Sequence, residues 1–209
     1  MSESTAAARL AASWLLWYPD DALIQRLPEI TQVVEESPSK VRTALRQFLA
    51  YLEEVPLLDA QKDYVATFDM KRKACPYLTF WTDGDTRNRG FSIVRFKQAY
   101  LASGFDVGDA ELPDHLAVVL EFAAIGNTLT GEALLVEHRV AIGLLREALN
   151  ALGSPYVHVL DAVLATLPAM TPEIAERMAA LAKSGPPVET VGLDPFPTAP
   201  ASVDIGGRR

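Results

Sequence analysis

The chain has 209 residues, 49% of them apolar and 22% charged, which is enough to bury a sizeable core and excludes a globally disordered polypeptide. Its net charge of -8 excludes a general nucleic-acid binder, because neutralising phosphates needs surplus Lys and Arg. A single cysteine, Cys75, excludes a disulfide framework or a CxxC zinc site and reads as a small buried side chain in a reducing compartment.

Met1-Ser2-Glu3-Ser4 is not a basic leader, and the apolar stretch at 10–17 is short and has no signal-cleavage pattern. No run approaches the ~20 apolar residues that span a bilayer. The expectation is a cytoplasmic protein with no direct membrane insertion.

From there the apolar spacing is helical. Leu10, Trp14 and Trp17 share a face of a first helix that ends before Pro19. Asp20 or Asp21 caps a second helix running toward Glu36, with a kink or break expected at Pro28. Ser37-Pro38 reads as a cap followed by a first-turn proline, and Val41, Leu45, Phe48 and Leu52 form the stripe of the helix that follows. Pro56 opens a short helix carrying Tyr64 and Phe68.

After a turn-rich stretch at 82–86, Asp85 or Thr86 caps a helix that reaches Ser103 and stops at Gly104. Its inner face is Ile93, Phe96 and Tyr100. Phe91, Val94 and Leu101 widen that face, which predicts a central helix. Pro113 begins another helix, with Leu116, Val119, Leu120 and Ala123 on one face and Val118, Phe122 and Ile125 on a second. Gly126 and Asn127 end it.

One long amphipathic helix is predicted from Gly131 to Leu152, with the seam Leu135, His138, Ile142, Leu145, Leu149 and Leu152. Tyr156, Leu160, Val163 and Leu167 mark the next helix, and Thr171-Pro172-Glu173 starts a last one with Ile174, Met178 and Leu181. The fold class is therefore all-α, a single-domain helical bundle over 1–183. Residues 184–209, rich in Pro and Gly, read as a disordered tail.

The chemistry is mostly absent. The histidines His115, His138 and His158 form no HExxH or other close ligand pair, and there is no GxSxG, P-loop or GxGxxG. His138 and His158 read as satisfied histidines at helix interfaces. A Cys75–His115 nucleophile pair lacks anything to orient the imidazole. Asp114, in the first turn of its predicted helix, complements the macrodipole.

Charge is more informative. Between Asp69 and Lys97 lie seven basic and three acidic residues, a local +4 within an acidic chain. Internal ion pairing and a docking surface for an acidic or phosphate-bearing partner both account for it. Aromatics concentrate in the same region: Tyr64, Phe68, Tyr77, Phe80, Trp81, Phe91, Phe96 and Tyr100. They fill a core or line a groove for an apolar peptide helix.

Tyr64-Val65-Ala66-Thr67-Phe68-Asp69, Tyr77-Leu78-Thr79 and Gly84-Asp85-Thr86-Arg87-Asn88-Arg89-Gly90 resemble, in order and spacing, the NarJ-type chaperones of nitrate reductase assembly. So do Arg95-Phe96-Lys97-Gln98-Ala99-Tyr100 and Glu111-Leu112-Pro113-Asp114-His115-Leu116, which runs on into Leu120-Glu121-Phe122. The resemblance spans roughly 60–125. It implies a helical maturation chaperone with no catalytic residues and no stably bound cofactor. The implied partner is the apo catalytic subunit of respiratory nitrate reductase, held by its N-terminal peptide until the molybdenum cofactor is inserted and before membrane docking. Cofactor-delivery proteins are a further partner class.

In the wider class of molybdoenzyme chaperones the Pro-x-Asp-His pattern lies in the peptide-binding region. The match here is Pro113, Asp114 and His115, with Tyr64, Phe68, Trp81, Arg87, Glu121 and Phe122 as further expected peptide contacts. Two alternatives stand beside this reading: a chaperone for a different molybdoenzyme, and a small helical ligand-binding domain or enzyme.

Overall fold

The computed structural model describes residues 2–108 and 111–187; the expected tail beyond Pro187 lies outside the described residues. The helices are α1 (Glu3–Leu15), α2 (Asp21–Glu36), α3 (Ser39–Glu54), α4 (Leu57–Tyr64), α5 (Leu78–Asp83), α6 (Arg87–Ala102), α7 (Leu116–Ile125), α8 (Thr128–Glu137), α9 (Arg139–Ala151), α10 (Val157–Ala165) and α11 (Pro172–Ser184). A π-turn, Val65–Asp69, continues α4, and a 3-10 turn, Arg72–Ala74, precedes α5. The described residues contain no strand longer than an isolated bridge.

Helix ends follow local chemistry. Asp20 caps α2 by accepting the Leu23 N–H at 2.9 Å, Asn127 caps α8 through Thr130, and Thr171 caps α11 ahead of Pro172. Ser37 does not open α3. Its hydroxyl donates to the Val33 carbonyl at 2.8 Å and closes α2, while Pro38 takes the N-cap position. Pro28 leaves α2 continuous; its ring sits on the exposed side.

The centre of the bundle is α7, whose residues from Leu116 to Leu120 are all buried, together with Phe122 and Ala123. α1 packs along it through small side chains: Ala8, Ala11 and Ala12 face inward, and Ser13 Oγ donates to the Ala117 carbonyl at 2.8 Å. That close approach pushes the bulkier Leu10, Trp14 and Trp17 to half-buried edge positions, not to the inward face their spacing predicts. α10 packs on α3 and α9, and Phe48, Tyr64, Phe68 and Tyr156 form one aromatic cluster between α3, α4 and α10. Arg9, wholly buried, bonds Thr166 at the end of α10 through both its Nε and Nη2 at 3.1 Å.

Three more expectations are corrected. The single helix from Gly131 to Leu152 is two helices that share His138 as junction. The His138 backbone leaves helical geometry with ψ 15, while its Nδ1 contacts the Leu134 carbonyl at 3.0 Å and its ring packs on Phe96. The seam from Leu135 to Leu149 nonetheless stays buried on both sides of the break. His158 is not fully satisfied: its Nδ1 is buried without a hydrogen-bond partner. Finally, α6 is not central. Phe96 and Tyr100 are buried, but Phe91, Val94 and Leu101 turn outward and are 73%, 50% and 63% exposed.

Candidate partner-binding site

Two proline-flanked loops meet on the α5–α7 side of the bundle. The extended pieces 76–78 and 114–116 exchange two backbone hydrogen bonds: Leu78 N–H to the Asp114 carbonyl and Leu116 N–H to the Pro76 carbonyl, each 3.0 Å. This makes an antiparallel bridge between Tyr77 and His115. Helices α5 and α7 both begin where the bridge ends.

Extended backbone alternates its side chains, so neighbouring Asp114 and His115 point to different surroundings. Asp114 is wholly buried, and its Oδ2 accepts the Thr79 N–H at 3.2 Å and the Thr79 hydroxyl at 2.6 Å. Arg89 Nε donates to the same Thr79 Oγ1 at 3.3 Å, and its Nη2 stands 4.0 Å from Asp114 Oδ2. Asp114 Oδ1 has no hydrogen-bond partner. The predicted helix from Pro113 in fact starts at Leu116. Asp114 thus precedes its own helix and serves the first turn of α5, not the dipole of α7.

His115 is the N-cap of α7. Its Nδ1 accepts the Ala117 N–H at 3.2 Å, which places the proton of the neutral ring on Nε2. The ring stacks on Trp17 at 5.2 Å and meets Tyr77 edge-on at 5.2 Å. Burial pushes its pKa below the usual histidine range, against the opposing pull of Glu111 and Asp114. The Tyr77 hydroxyl donates to Glu111 at 2.9 Å, and the Tyr100 hydroxyl donates to the Pro113 carbonyl at 2.6 Å, so the loop is held from both sides. Cys75 is half-buried, and burial raises its thiol pKa, which disfavours the thiolate. With Nδ1 of His115 occupied by the cap, no nucleophile pair is assembled.

Trp17 leads on to an apolar surface. Tyr18 meets Tyr64 edge-on at 5.5 Å and, with Leu58, Lys62, Val65 and Met70, lines a depression of about 420 Å³. The π-turn creates this lining: its wider pitch keeps Thr67 and Phe68 inside while Val65, Ala66 and Met70 face out. Burial raises the pKa of the Tyr64 hydroxyl, and the charges of Asp69 and Glu111 push it the same way. A second cavity, about 560 Å³, opens between α6 and the loop 104–113, lined by Ile93, Leu101, Val107 and Leu112.

The expected contact residues divide accordingly. Tyr64 and Phe68 are the buried floor of the α4 depression. Pro113 and His115 shape the loop, with Asp114 anchored beneath. Trp81 is buried, its indole N–H bonded to the Cys75 carbonyl at 3.0 Å, and Arg87 is exposed at the start of α6. Glu121 is half-buried on α7, and Phe122 is in the core against Tyr100 and Phe105. Thr79, Arg89, Glu111 and Trp17 were not among the expected residues. The first three stand inside the quoted motifs, while Trp17 is far away in sequence and joins only through α1 packing. Part of the +4 segment pairs internally: Arg72 with Asp85 at 2.5 Å and Arg95 with Glu137 at 3.2 Å.

Among the described residues no group of His, Cys, Asp and Glu is placed to hold a metal ion, and no helix is long and apolar enough to cross a membrane. The site thus combines a firmly pinned loop with an apolar depression on the surface of a helical bundle. Comparison with known proteins carries this further. The family model described as nitrate reductase delta subunit matches residues 35–162. The chain is 37% identical over 155 residues to the nitrate reductase-like protein NarX of Mycobacterium tuberculosis, which is 74% of this chain but only 23% of that protein. It is 30% identical over 158 residues to NarJ of Bacillus subtilis, covering 75% of this chain and 86% of that one. It is 36% identical over 115 residues to NarJ of Escherichia coli K12, a nitrate reductase molybdenum cofactor assembly chaperone, covering 54% of this chain and 49% of that one. A crystal structure from Archaeoglobus fulgidus, described as a candidate redox enzyme maturation protein, shares the fold with a TM-score of 0.57 at 20% identity, over 76% of this chain and 91% of that one. The chain belongs to the nitrate reductase delta subunit family.

Proposed function

We propose that this chain binds the N-terminal segment of the apo catalytic subunit of respiratory nitrate reductase in the cytoplasm and holds it for molybdenum cofactor insertion before membrane docking. The observation that carries the reading is the apolar depression lined by Tyr18, Leu58, Val65 and Met70, next in sequence to Trp17, which stacks on the buried His115. Its exposed apolar side chains suit the apolar face of an amphipathic segment. The chain's net charge of -8 suits Lys or Arg on that segment, with charge setting orientation and association rate more than affinity. Asp114, Tyr64 and Phe68 act from beneath, and Pro113 and His115 form the edge. The chaperone itself retains no cofactor; the cofactor, brought by delivery proteins, goes to the partner.

Calorimetry against a peptide copied from the N-terminus of the catalytic subunit tests this, with leader peptides of other molybdoenzymes as competitors. Binding of the nitrate reductase peptide alone, lost in Val65→Asp with Met70→Asp, is the expected result. Equal binding of all leaders would favour a chaperone of wider range, and no binding would reject the reading.

A further inference from the structure

The outward face of α6 is not used by the chaperone reading. α6 carries Arg87, Arg89, Arg95 and Lys97 and no carboxylate. With Phe96 and Tyr100 turned into the core, the helical period sends Phe91, Val94 and Leu101 to the opposite side, with Arg87 in their register and Arg95 and Lys97 flanking them. Three large apolar side chains in one exposed stripe mark a surface that is covered in use. Pairing with α6 of a second copy would set cations against cations, so self-association through this face is disfavoured.

The last described residue puts the chain at the entrance to this helix. The Pro187 carbonyl oxygen lies 1.7 Å from the point that a Cβ on Gly84 would occupy, and Gly84, with φ +63, stands three residues before Arg87. The sequence that follows carries Val188, Val191, Leu193 and Phe196 with Glu189 and Asp194, and no Lys or Arg before Pro197. Nine extended residues reach about 30 Å. The 16 residues of α6 rise about 24 Å. Starting point, length, apolar content and charge all match.

We propose that segment 188–196 covers the α6 stripe, its apolar residues on Phe91, Val94 and Leu101 and its two carboxylates facing the net positive charge of this helix, part of which, Arg95, already pairs with Glu137. The stripe borders the loop at the cavity that Leu101 shares with Glu111 and Pro113, and the test below reads the cover without any partner peptide.

Disulfide trapping in the full chain tests it. In a Cys75→Ser background, Phe196→Cys is combined in turn with Phe91→Cys, Val94→Cys and Leu101→Cys, with the exposed Ile24→Cys as control partner. At least one stripe position should give an intramolecular disulfide several-fold above the control, and Glu189→Lys with Asp194→Lys should lower that yield several-fold. A yield no higher than the control overturns the proposal, as do disulfides formed only between chains, which would give the face to a second copy. Independently, Leu193→Ser with Phe196→Ser in the full chain should at least double the fluorescence of anilinonaphthalene sulfonate. An unchanged signal means the stripe is already open and available to an acidic partner helix, and overturns the proposal.

Discussion

Thr79→Val is the most exposing perturbation of the pinned loop. Valine keeps the shape of threonine and removes the hydroxyl that donates to Asp114 Oδ2 at 2.6 Å and accepts from Arg89 Nε at 3.3 Å. Arg89 is partly exposed and can turn to water. Asp114 cannot, because it is wholly buried, its Oδ1 has no partner, and only the Thr79 N–H at 3.2 Å remains to Oδ2. A hydrogen bond to a charged group contributes about 1.5–3 kcal/mol, and stranding its buried acceptor puts the loss near the upper end, about 2–3 kcal/mol. For a chain of this size that is a Tm drop of roughly 5–10 °C. Urea unfolding at pH 7, followed by tryptophan fluorescence, reads it directly. In a cycle with Asp114→Asn the two losses should overlap by at least about 1 kcal/mol. A loss below about 0.5 kcal/mol, or strict additivity with Asp114→Asn, would refute the view that Asp114 is a staple held by Thr79.

Three other outcomes follow from the geometry. His115 caps α7 only while Nδ1 is unprotonated, and burial holds its folded-state pKa below the ordinary histidine value of 6.5. The unfolded chain therefore binds more protons in that window, and stability is present above pH 6.5 and lost as pH falls toward the folded-state pKa. Urea titrations between pH 7.5 and 5 should show this slope, and His115→Asn, which keeps a cap acceptor but does not titrate, should flatten it. Gly131→Ala places a Cβ 2.4 Å from the Ala123 Cα where α8 crosses α7, and backbone must move to admit it; about 2–3 kcal/mol of stability should be lost in thermal melts. Gly143→Leu should lever α11 off α9, because Met178 Sδ already stands 2.7 Å from the place of a Cβ and α11 buries no residue fully. Limited proteolysis should then cut at 168–171 while the rest of the bundle survives.

The helical content was legible because caps, prolines and apolar spacing agree along most of the chain. The seam from Leu135 to Leu149 was right even though the helix was not: nothing in its period betrays that His138 leaves helical geometry to meet Phe96. Residues Phe91, Val94 and Leu101 misled in the opposite sense. Their hydrophobicity suggested a widened buried face and a central helix, whereas periodicity cannot distinguish a face packed inside the chain from one awaiting cover. At the site, the motif around Asp114 and His115 was visible, but its division of labour was not. Asp114 looked like a helix-dipole partner or a contact, and only the bridge between 76–78 and 114–116 shows that it holds a different helix. Trp17 escaped notice because its connection to His115 passes through the packing of α1 on α7.

That bridge also sets how the molecule comes apart. Two backbone bonds close a long excursion of chain containing α5 and α6, and the Tyr77–His115 contact lies at its neck. Releasing the excursion also requires Phe96 to leave His138 and Tyr100 to leave Phe122, so the neck opens only together with part of the core. The amides of Leu78 and Leu116 should therefore exchange with solvent as one kinetic unit, faster than those of α7 beyond its first turn. Movement of this loop therefore draws on the same packing that holds the bundle together, which ties its mobility to the stability of the whole.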